Sequence, residues 1–485
     1  MLTAPSPMTD SALPPRSIWR QIVGSLRGEQ HDYTRGSLPA AILLLAVPMV
    51  LEMALESTFA LADIWWVNRI DDGMFGAVPT GGAAVAAVGA TEGLLSIVYA
   101  VAFGLGMAVT AMVARRIGEG DAAGAAIAGS QAIGLGLVLG VLLGVPCLVF
   151  APELLGLMAD DNPRVVAAGT GYARWMLGGN VIVMLLFLQN AIFRGAGDPM
   201  LALKTLAVAN GINLVLDPML IFGLGPFPAL GVTGAGVASC TGRAVAVLYQ
   251  FWLLRRGRGR VRLSPLLRFD AGPMWTLVRL SFGTIGQFLI ATVSWLFLMA
   301  FVNRFGEAAG AGYTTGIRIL IFALLPAWGL SNAAATLVGQ NLGAKRPDRA
   351  ERAVWLTAAY DVAFLALVTV VMELWPREIV QVFVSDPAVQ AHAIDSLRII
   401  ASGYVFYAWG MVAVQSFNGA GDTRTATWLH FWFFWALELP LAALLAFGVG
   451  MGPTGVFWSI PIAETCFAIA AFVMFRRGRW KTVQV

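Results

Sequence analysis

Three acidic side chains interrupt the first long apolar run of the chain. Glu56 and Asp63 follow Glu52 by four and eleven residues. At about 100° per residue, these offsets place the carboxylates within about 40° of one another on one helical face. A charged group inside a membrane span costs roughly 2.5–3.5 kcal/mol, so it persists only beside a cavity or a partner. The stripe therefore indicates either a cation or proton site, or acids paired with Arg174 or Arg243.

Two later apolar runs contain polar side chains of the same character. Asn213 and Asp217 are four residues apart, so a helix would place both on one face. Gln189 and Asn190 end the apolar run before them. Carboxylate and amide oxygens suit a small hard cation, and a buried carboxyl group without a partner favours a bound proton. We therefore predict a site for a cation or a proton that involves the acids of the first run together with Asn213 and Asp217.

The second half of the chain repeats the first and acts as an internal control. Four motifs return at offsets of 235, 225, 224 and 221 residues, and they begin at Val67, Arg116, Arg194 and Thr233. At the first of these offsets, Glu52 corresponds to Gln287, whereas Glu56 and Asp63 correspond to the apolar Ala291 and Leu298. The acids are thus not needed to build the fold, and the cation or proton site is predicted to lie in the first half. Glu52, Glu56, Gln189, Asn190 and Gln287 are candidates for a cavity or substrate site.

Twelve apolar runs must position these residues. The chain of 485 residues is 58% hydrophobic and only 12% charged, with a mean hydropathy of +0.74. A bilayer span needs about 20 apolar residues, and lipid requires every backbone polar group to be satisfied within the span. We predict an all-α polytopic membrane protein with twelve transmembrane helices, over residues 39–66, 84–112, 124–150, 165–191, 201–223, 232–254, 276–302, 311–337, 353–375, 390–416, 427–449 and 455–475.

The distribution of basic residues predicts the orientation of these helices. One set of loops and both tails carries 23 of the 32 Lys and Arg residues, and the opposite loops carry four. Cytoplasmic loops are the basic ones, so both termini are expected in the cytoplasm of a cell with an inner membrane. Two six-helix repeats then share one orientation, a design found in alternating-access transporters. The predicted parts are a tail over 1–38, an N-lobe over 39–254, a linker over 255–275, a C-lobe over 276–475 and a tail over 476–485.

Other functional classes lack support in the sequence. No Walker-type phosphate loop is present, so ATP is not the expected energy source, and no cofactor is expected. No nucleophile–base set or metal cluster lies within the spans, so the chain is not expected to be an enzyme. The net charge of +4 follows from the positive loops and requires no nucleic-acid partner. Five further acids in or near the spans receive no role, namely Glu92, Asp361, Glu373, Glu438 and Glu464.

Several motifs together resemble the multidrug and toxic compound extrusion (MATE) family. They are Pro48 with Asp63 fifteen residues later, in Ala62–Val67, and the segments Arg194–Pro199, Asn213–Pro218 and Gly231–Ala235. The similarity extends from about residue 39 to residue 475. The resemblance implies two six-helix bundles that form a V-shaped cleft, and drug efflux in exchange for Na⁺ or H⁺.

The resemblance is closer to the archaeal-type and DNA-damage-inducible branches of this family. In those branches the coupling residues would correspond to Asp63, Asp217 and Asn213, and Ser239 stands where threonine is frequent. Another branch uses acids in the seventh and tenth helices. Here the seventh helix has Gln287 and the tenth has no acid in its later half, which favours coupling in the N-lobe.

We therefore expect a secondary active exporter of amphipathic, often cationic organic compounds, acting as a monomer. The alternative is a lipid-linked oligosaccharide flippase, from the wider superfamily with this architecture. A flippase would need a cationic cavity for pyrophosphate, whereas the predicted cavity is acidic.

Overall fold

The fold is seen in a computed structural model, which describes residues 24, 31–67, 69–70, 82–159, 162–263 and 270–484. Within these ranges the side chains of residues 59–64 are not described. Most of the predicted N-terminal tail, the centre of the predicted linker and the Asp63 side chain therefore lie outside the described residues.

Helices account for nearly all of the described chain. Among the described residues, ten single helices are long and apolar enough to cross a membrane, and two bent pairs give up to two more spans. We number the spans α1 Leu38–Val67, α2 Gly82–Gly118, α3 Ala122–Val149, α4 Pro163–Gly178 with Asn180–Ala196, α5 Pro199–Phe222, α6 Val232–Arg256, α7 Ala271–Asn303, α8 Glu307–Gly343, α9 Pro347–Leu374, α10 Pro387–Ala401 with Tyr404–Ala420, α11 Thr423–Gly448 and α12 Pro453–Arg476.

Two shorter helices, Ala151–Met158 and Pro376–Gln381, follow α3 and α9 respectively. The arms of α4 and α10 meet at bends of 41° and 57°. Much of α11 is π-helical, over Phe431–Glu438 and Leu444–Gly448. The predicted all-α fold is confirmed, and each predicted span coincides with one observed helix or bent pair.

The internal repeat is visible in the local backbone as well as in the sequence. Gly197 ends α4 with φ 83°, and Gly421 ends α10 with φ 85°. Both adopt the left-handed conformation that commonly closes a helix and that glycine tolerates best. The shared Gly-Ala-Gly-Asp motif thus forms the same tight turn in both halves.

Each half has its own apolar core. Leu105, Met184 and Ile192 belong to a large buried cluster that is mostly in α2–α4. In the other half, Tyr313 of α8 stacks on Phe457 of α12 with ring centroids 5.7 Å apart. Both rings are fully buried, so each six-helix group packs around side chains of its own.

The two halves meet mainly through α1, α2, α7 and α8. We call the end of the molecule that carries the basic loops and both tails the basic end. There α2 and α8 touch backbone to backbone: a Cβ on Gly118 would lie 2.0 Å from the Gln340 carbonyl oxygen, and one on Gly343 would lie 2.2 Å from that of Arg115. The repeated motif that ends in these glycines thus permits the closest approach of the halves.

Further contacts between the halves lie near the middle of the spans. Thr284 of α7 donates a hydrogen bond to the Gly104 carbonyl of α2 at 2.6 Å. A Cβ on Gly329 of α8 would lie 2.7 Å from the Val50 backbone nitrogen of α1. Beyond this level, α2, α7 and α8 carry exposed large apolar side chains, including Ile97, Phe297 and Phe322. The hydrogen bonds and glycine contacts between the halves thus lie at the basic end and near the middle of the spans, and we interpret the other end as the part where the two bundles separate.

Candidate functional site

Helices α5 and α6 bring together three polar residues that the sequence singled out. The Asn213 amide nitrogen lies 3.2 Å from Asp217 Oδ1 and 3.1 Å from Ser239 Oγ. None of the three residues is more than 1% exposed. A Cβ on Gly242 would lie 2.8 Å from the Ala209 carbonyl oxygen, so this glycine lets the two helices approach closely. The result is a compact set of carboxylate, amide and hydroxyl groups within the first half.

The oxygen atoms of this set have the chemistry of a site for a proton or a hard cation. The Asn213 carbonyl oxygen is buried and has no hydrogen-bond donor among the residues that the structure describes. A buried acceptor without a donor is costly, and an oxygen-seeking cation would satisfy it. No group of three His, Cys, Asp or Glu residues suited to a metal ion occurs in the described part of the chain. The participation of Asp63, whose side chain is not described, stays a prediction.

Glu52 belongs to a separate buried network between α1, α4, α5 and α6. Its Oε1 accepts a hydrogen bond from the Asn190 amide at 3.1 Å and lies 3.5 Å from an Arg194 guanidinium nitrogen. The Asn190 oxygen accepts in turn from Gln250 at 2.6 Å, and Gln250 also reaches Thr205 Oγ1 at 2.7 Å. Glu52 is 1% exposed and Asn190 is 4% exposed. These candidate cavity residues therefore lie inside the bundle in this conformation.

The second half contains a neutral counterpart of the Glu52–Arg194 pair. The side-chain amides of Gln287 and Asn418 exchange two hydrogen bonds, each 3.0 Å long. Gln287 corresponds to Glu52 in the repeat, and Asn418 corresponds to Arg194. An ion pair in one half therefore occupies the place of an amide pair in the other. Gln287, like Gln189, is buried, so neither candidate lines an open cavity.

Glu56 is partly buried and belongs to a charged group within the first half. It interacts electrostatically with Arg243 and Arg194. The Tyr99 side chain hydrogen-bonds to Arg243 and lies within electrostatic range of Glu92. Of the two interpretations of the acidic stripe, this arrangement favours pairing with Arg243 for Glu56.

The acids without a predicted role fall into two kinds. Glu373 forms an exposed ion pair with Arg398 at 2.9 Å. Glu438 is buried in the π-helical part of α11, where Ser294 of α7 donates to its Oε2 at 3.0 Å. Asp361 of α9 is fully buried, with neither carboxylate oxygen hydrogen-bonded to a described residue. The second half therefore also buries acids: Glu438 is on α11, the counterpart of α5, whereas Asp361 is on α9.

Sequence reasoning missed four residues of the buried networks. Arg194 and its counterpart Asn418 appeared only as the first residues of a repeated motif, and Thr205 and Gln250 were not considered. The repeat offset contained a usable signal, because Glu52 and Arg194 change together to Gln287 and Asn418. Co-ordinated exchange of an acid and a base for two amides is what contact between them would produce.

Two related six-helix bundles with buried carboxyl networks define a polytopic membrane transporter. The MatE family model matches this chain twice, over residues 48–219 and 284–444, and the chain belongs to that family. The resemblance deduced from the motifs is thereby confirmed. Because the members of the family are transporters, the expectation that the chain is not an enzyme is also confirmed.

Curated relatives cover nearly the whole chain. The "FAD transporter" of Shewanella oneidensis is 24% identical over 93% of this chain and 97% of its own length. The "Probable multidrug resistance protein NorM" of Thermotoga maritima is 24% identical over 91% of this chain and 92% of its own. A solved Pyrococcus furiosus transporter, described as having a binding pocket of reverse polarity, superposes with a TM-score of 0.85 at 25% identity, over 94% of this chain and 100% of its own. A MATE transporter in an outward-facing conformation has the same fold, with a TM-score of 0.84 at 24% identity over 94% of this chain and 100% of its own.

Proposed function

We propose that this multidrug efflux transporter exports amphipathic, often cationic organic compounds in exchange for H⁺ or Na⁺. The observation that carries the exchange is the buried set of Asn213, Asp217 and Ser239 in the first half. Asp63, on the acidic face of α1, completes the proposed coupling site. The corresponding helix of the second half has no acid at the equivalent position, so coupling is assigned to the N-lobe.

The site couples movement of the ion to export of the substrate, because it binds the ion with different affinity in two conformations of the protein. Cation or proton occupancy neutralises the carboxylates and lets the N-lobe rearrange. Release restores the negative charge and with it the affinity for a cationic substrate. Exchange requires only that each ligand favours a different conformation of the protein. We assign this alternation to an N-lobe over 39–254 and a C-lobe over 276–475, joined by the linker 255–275.

The membrane is proposed to be the inner membrane of a bacterial-type cell, with both termini in the cytoplasm. The excess of Lys and Arg on one side supports this orientation. The basic end described above would then face the cytoplasm, and the separation of the halves would face outward. A reporter enzyme fused after Val485 should be active in the cytoplasm, and periplasmic activity would overturn the orientation.

Asp217→Asn and Asp63→Asn test the coupling site. Each keeps the size of the side chain and removes its charge, so each should abolish efflux of a fluorescent organic cation from proteoliposomes. Efflux is measured separately under a Na⁺ gradient and a pH gradient, which also identifies the coupling ion. Asp348→Asn, at an exposed position of the basic end, is the matched control. Wild-type efflux by both variants, with normal expression, would move coupling away from the N-lobe.

A flippase activity is the competing proposal for this architecture. It requires a cationic cavity for a pyrophosphate group, whereas the proposed coupling site is carboxylate-based and Glu56 and Glu92 add further acids on the first half. Transport of a fluorescent lipid-linked sugar across liposomes, without any ion gradient, would favour the flippase. The chain should fail in that assay.

A further inference from the structure

Arg318 takes no part in the pairs and networks described above. It lies in α8, and it is one of six basic residues inside the predicted spans. Its side chain is exposed, and it forms no ion pair within the described part of the chain. An arginine that faced lipid at this depth would cost roughly 2.5–3.5 kcal/mol or more. Its guanidinium must therefore face water.

The position of Arg318 along α8 places it in the separated part of the molecule. It precedes Gly329, where α8 touches α1, by eleven residues, which is about 16 Å of helix. It follows Glu307, the first residue of α8, by the same distance. Arg318 thus lies about midway between the outer end of the C-lobe and the level at which the halves meet.

An open pocket lined by both polar and apolar residues borders Arg318. Its volume is about 560 Å³, and it lies between the end of α7 and the beginning of α8. This volume is within the usual range for small-molecule sites, roughly 300–1,000 Å³. Besides Arg318, its polar lining residues are Asn303, Glu307, Thr314 and Thr315. The carboxylate of Glu307 belongs to the outer end of the pocket, so Arg318 is the charged group at its inner end.

We propose that this pocket is a C-lobe subsite for an oxyanion carried by the transported amphipath, either a carboxylate or a phosphate ester. The proposal rests on the proposed function and narrows its substrate class to compounds with a negative group as well as a cationic or aromatic part. Guanidinium binds such oxyanions through two parallel hydrogen bonds, and the nearby threonine hydroxyls can donate further ones. Acids in the first half and an arginine in the second would hold the two ends of a zwitterion.

Binding of two matched dye pairs tests the subsite. One pair is a rhodamine with a free carboxyl group and its methyl ester, and the other is flavin mononucleotide and riboflavin. Fluorescence polarisation with purified protein in nanodiscs gives a Kd for each, and no ion gradient is needed. Arg318→Gln should weaken binding of the anionic member of at least one pair by about tenfold to a hundredfold, because a charge-assisted bond is lost. The neutralised or uncharged partner should bind as before.

Two further variants make the outcome decisive. Arg318→Lys keeps the charge without the planar fork, so its affinity for the oxyanion should be intermediate. Arg377→Gln removes an exposed charge from the same half, outside the pocket, and should leave every Kd unchanged. Equal effects of Arg318→Gln on both members of each pair, or no effect, would overturn the subsite. Wild-type protein that binds and transports none of these dyes would instead count against the proposed multidrug function.

Discussion

The buried pair of Glu52 and Arg194 shows how the effect of one substitution on stability depends on the residue at the other position. Arg194 is 8% exposed and Glu52 is 1% exposed. Removing either side chain therefore leaves the charge of the other buried without a counter-charge. Breaking a buried ion pair costs about 3–5 kcal/mol, whereas replacing both partners can be neutral. The second half contains such a double replacement, because Gln287 and Asn418 occupy the equivalent positions and form two hydrogen bonds of 3.0 Å.

Glu52→Gln and Arg194→Asn should therefore each destabilise the protein, and the double variant should recover most of the loss. The single changes leave a buried charge without a counter-charge, and the double change reproduces the amide pair of the second half. Thermal unfolding in detergent, followed by size-exclusion chromatography, measures the three variants against wild type. A double variant that is less stable than both single variants would show that the two side chains do not act as a pair.

Much of the candidate site could be predicted at the residue scale, but its partners could not. The four-residue spacing of Asn213 and Asp217 is a local pattern, so one helix was sufficient to predict that they share a face. Ser239 lies on another helix, and only the family resemblance pointed to it. Glu52 and Arg194 are 142 residues apart, and no periodicity encodes a contact at that distance. Their pairing was accessible only by comparing the two halves.

Among the elements, the segment before α1 has a role that its sequence did not disclose. Residues 31–37 pass between the two halves at the basic end. Arg349 of α9 donates to the carbonyl oxygens of Gly36 and Arg35 at 2.9 Å each. Tyr33 is buried against the turn after α4, where a Cβ on Gly197 would lie 2.7 Å from its ring. The segment therefore ties the second half to the first.

Arg349→Ala should weaken closure of the basic end, because it removes the hydrogen bonds from α9 to the carbonyl oxygens of residues 33, 35 and 36. The distance distribution between spin labels at Ala123 and Arg424, which are both exposed at this end, should shift toward longer values. Arg352→Ala removes an exposed charge three residues further along α9 and is the matched control. Indistinguishable distance distributions in the two variants would show that the segment contacts both lobes but does not restrain the distance between them.

Most element boundaries followed from hydropathy, because the bilayer fixes the length of an apolar run. The internal geometry of the spans did not. Gly179 separates the two arms of α4, and Ser402 and Gly403 separate those of α10. The π-helical turns of α11 are a further departure from a straight α-helix. Bends and π-turns satisfy packing against neighbouring helices, and a hydropathy pattern reports only that a segment is buried in lipid.

At the scale of the whole molecule, the contacts between the halves are distributed unevenly along the membrane normal. Gly118 and Gly343 meet at the basic end, where Thr336 and Gln340 of α8 also donate to the Arg194 and Gly195 carbonyl oxygens at 3.2 and 3.0 Å. Hydrogen bonds between described helices farther from the basic end, such as those of Ser294 and Thr369, stay within one half. Two bundles related by a repeat and hinged on one shared contact region can rock as units.

Rocking of two units makes the distances at the two ends change in opposite directions. A second label pair at Glu153 and Glu378 reports on the other end, because these exposed residues lie in the short helices that follow α3 and α9. Titrating the coupling ion or a transported dye should lengthen the Ala123–Arg424 distance while shortening the Glu153–Glu378 distance, since closing one end opens the other. Asp217→Asn should keep the protein in one of the two arrangements across the titration, because its coupling charge is absent. Distances at the two ends that vary independently, or that ignore both ligands, would mean that the halves do not move as two rigid bodies.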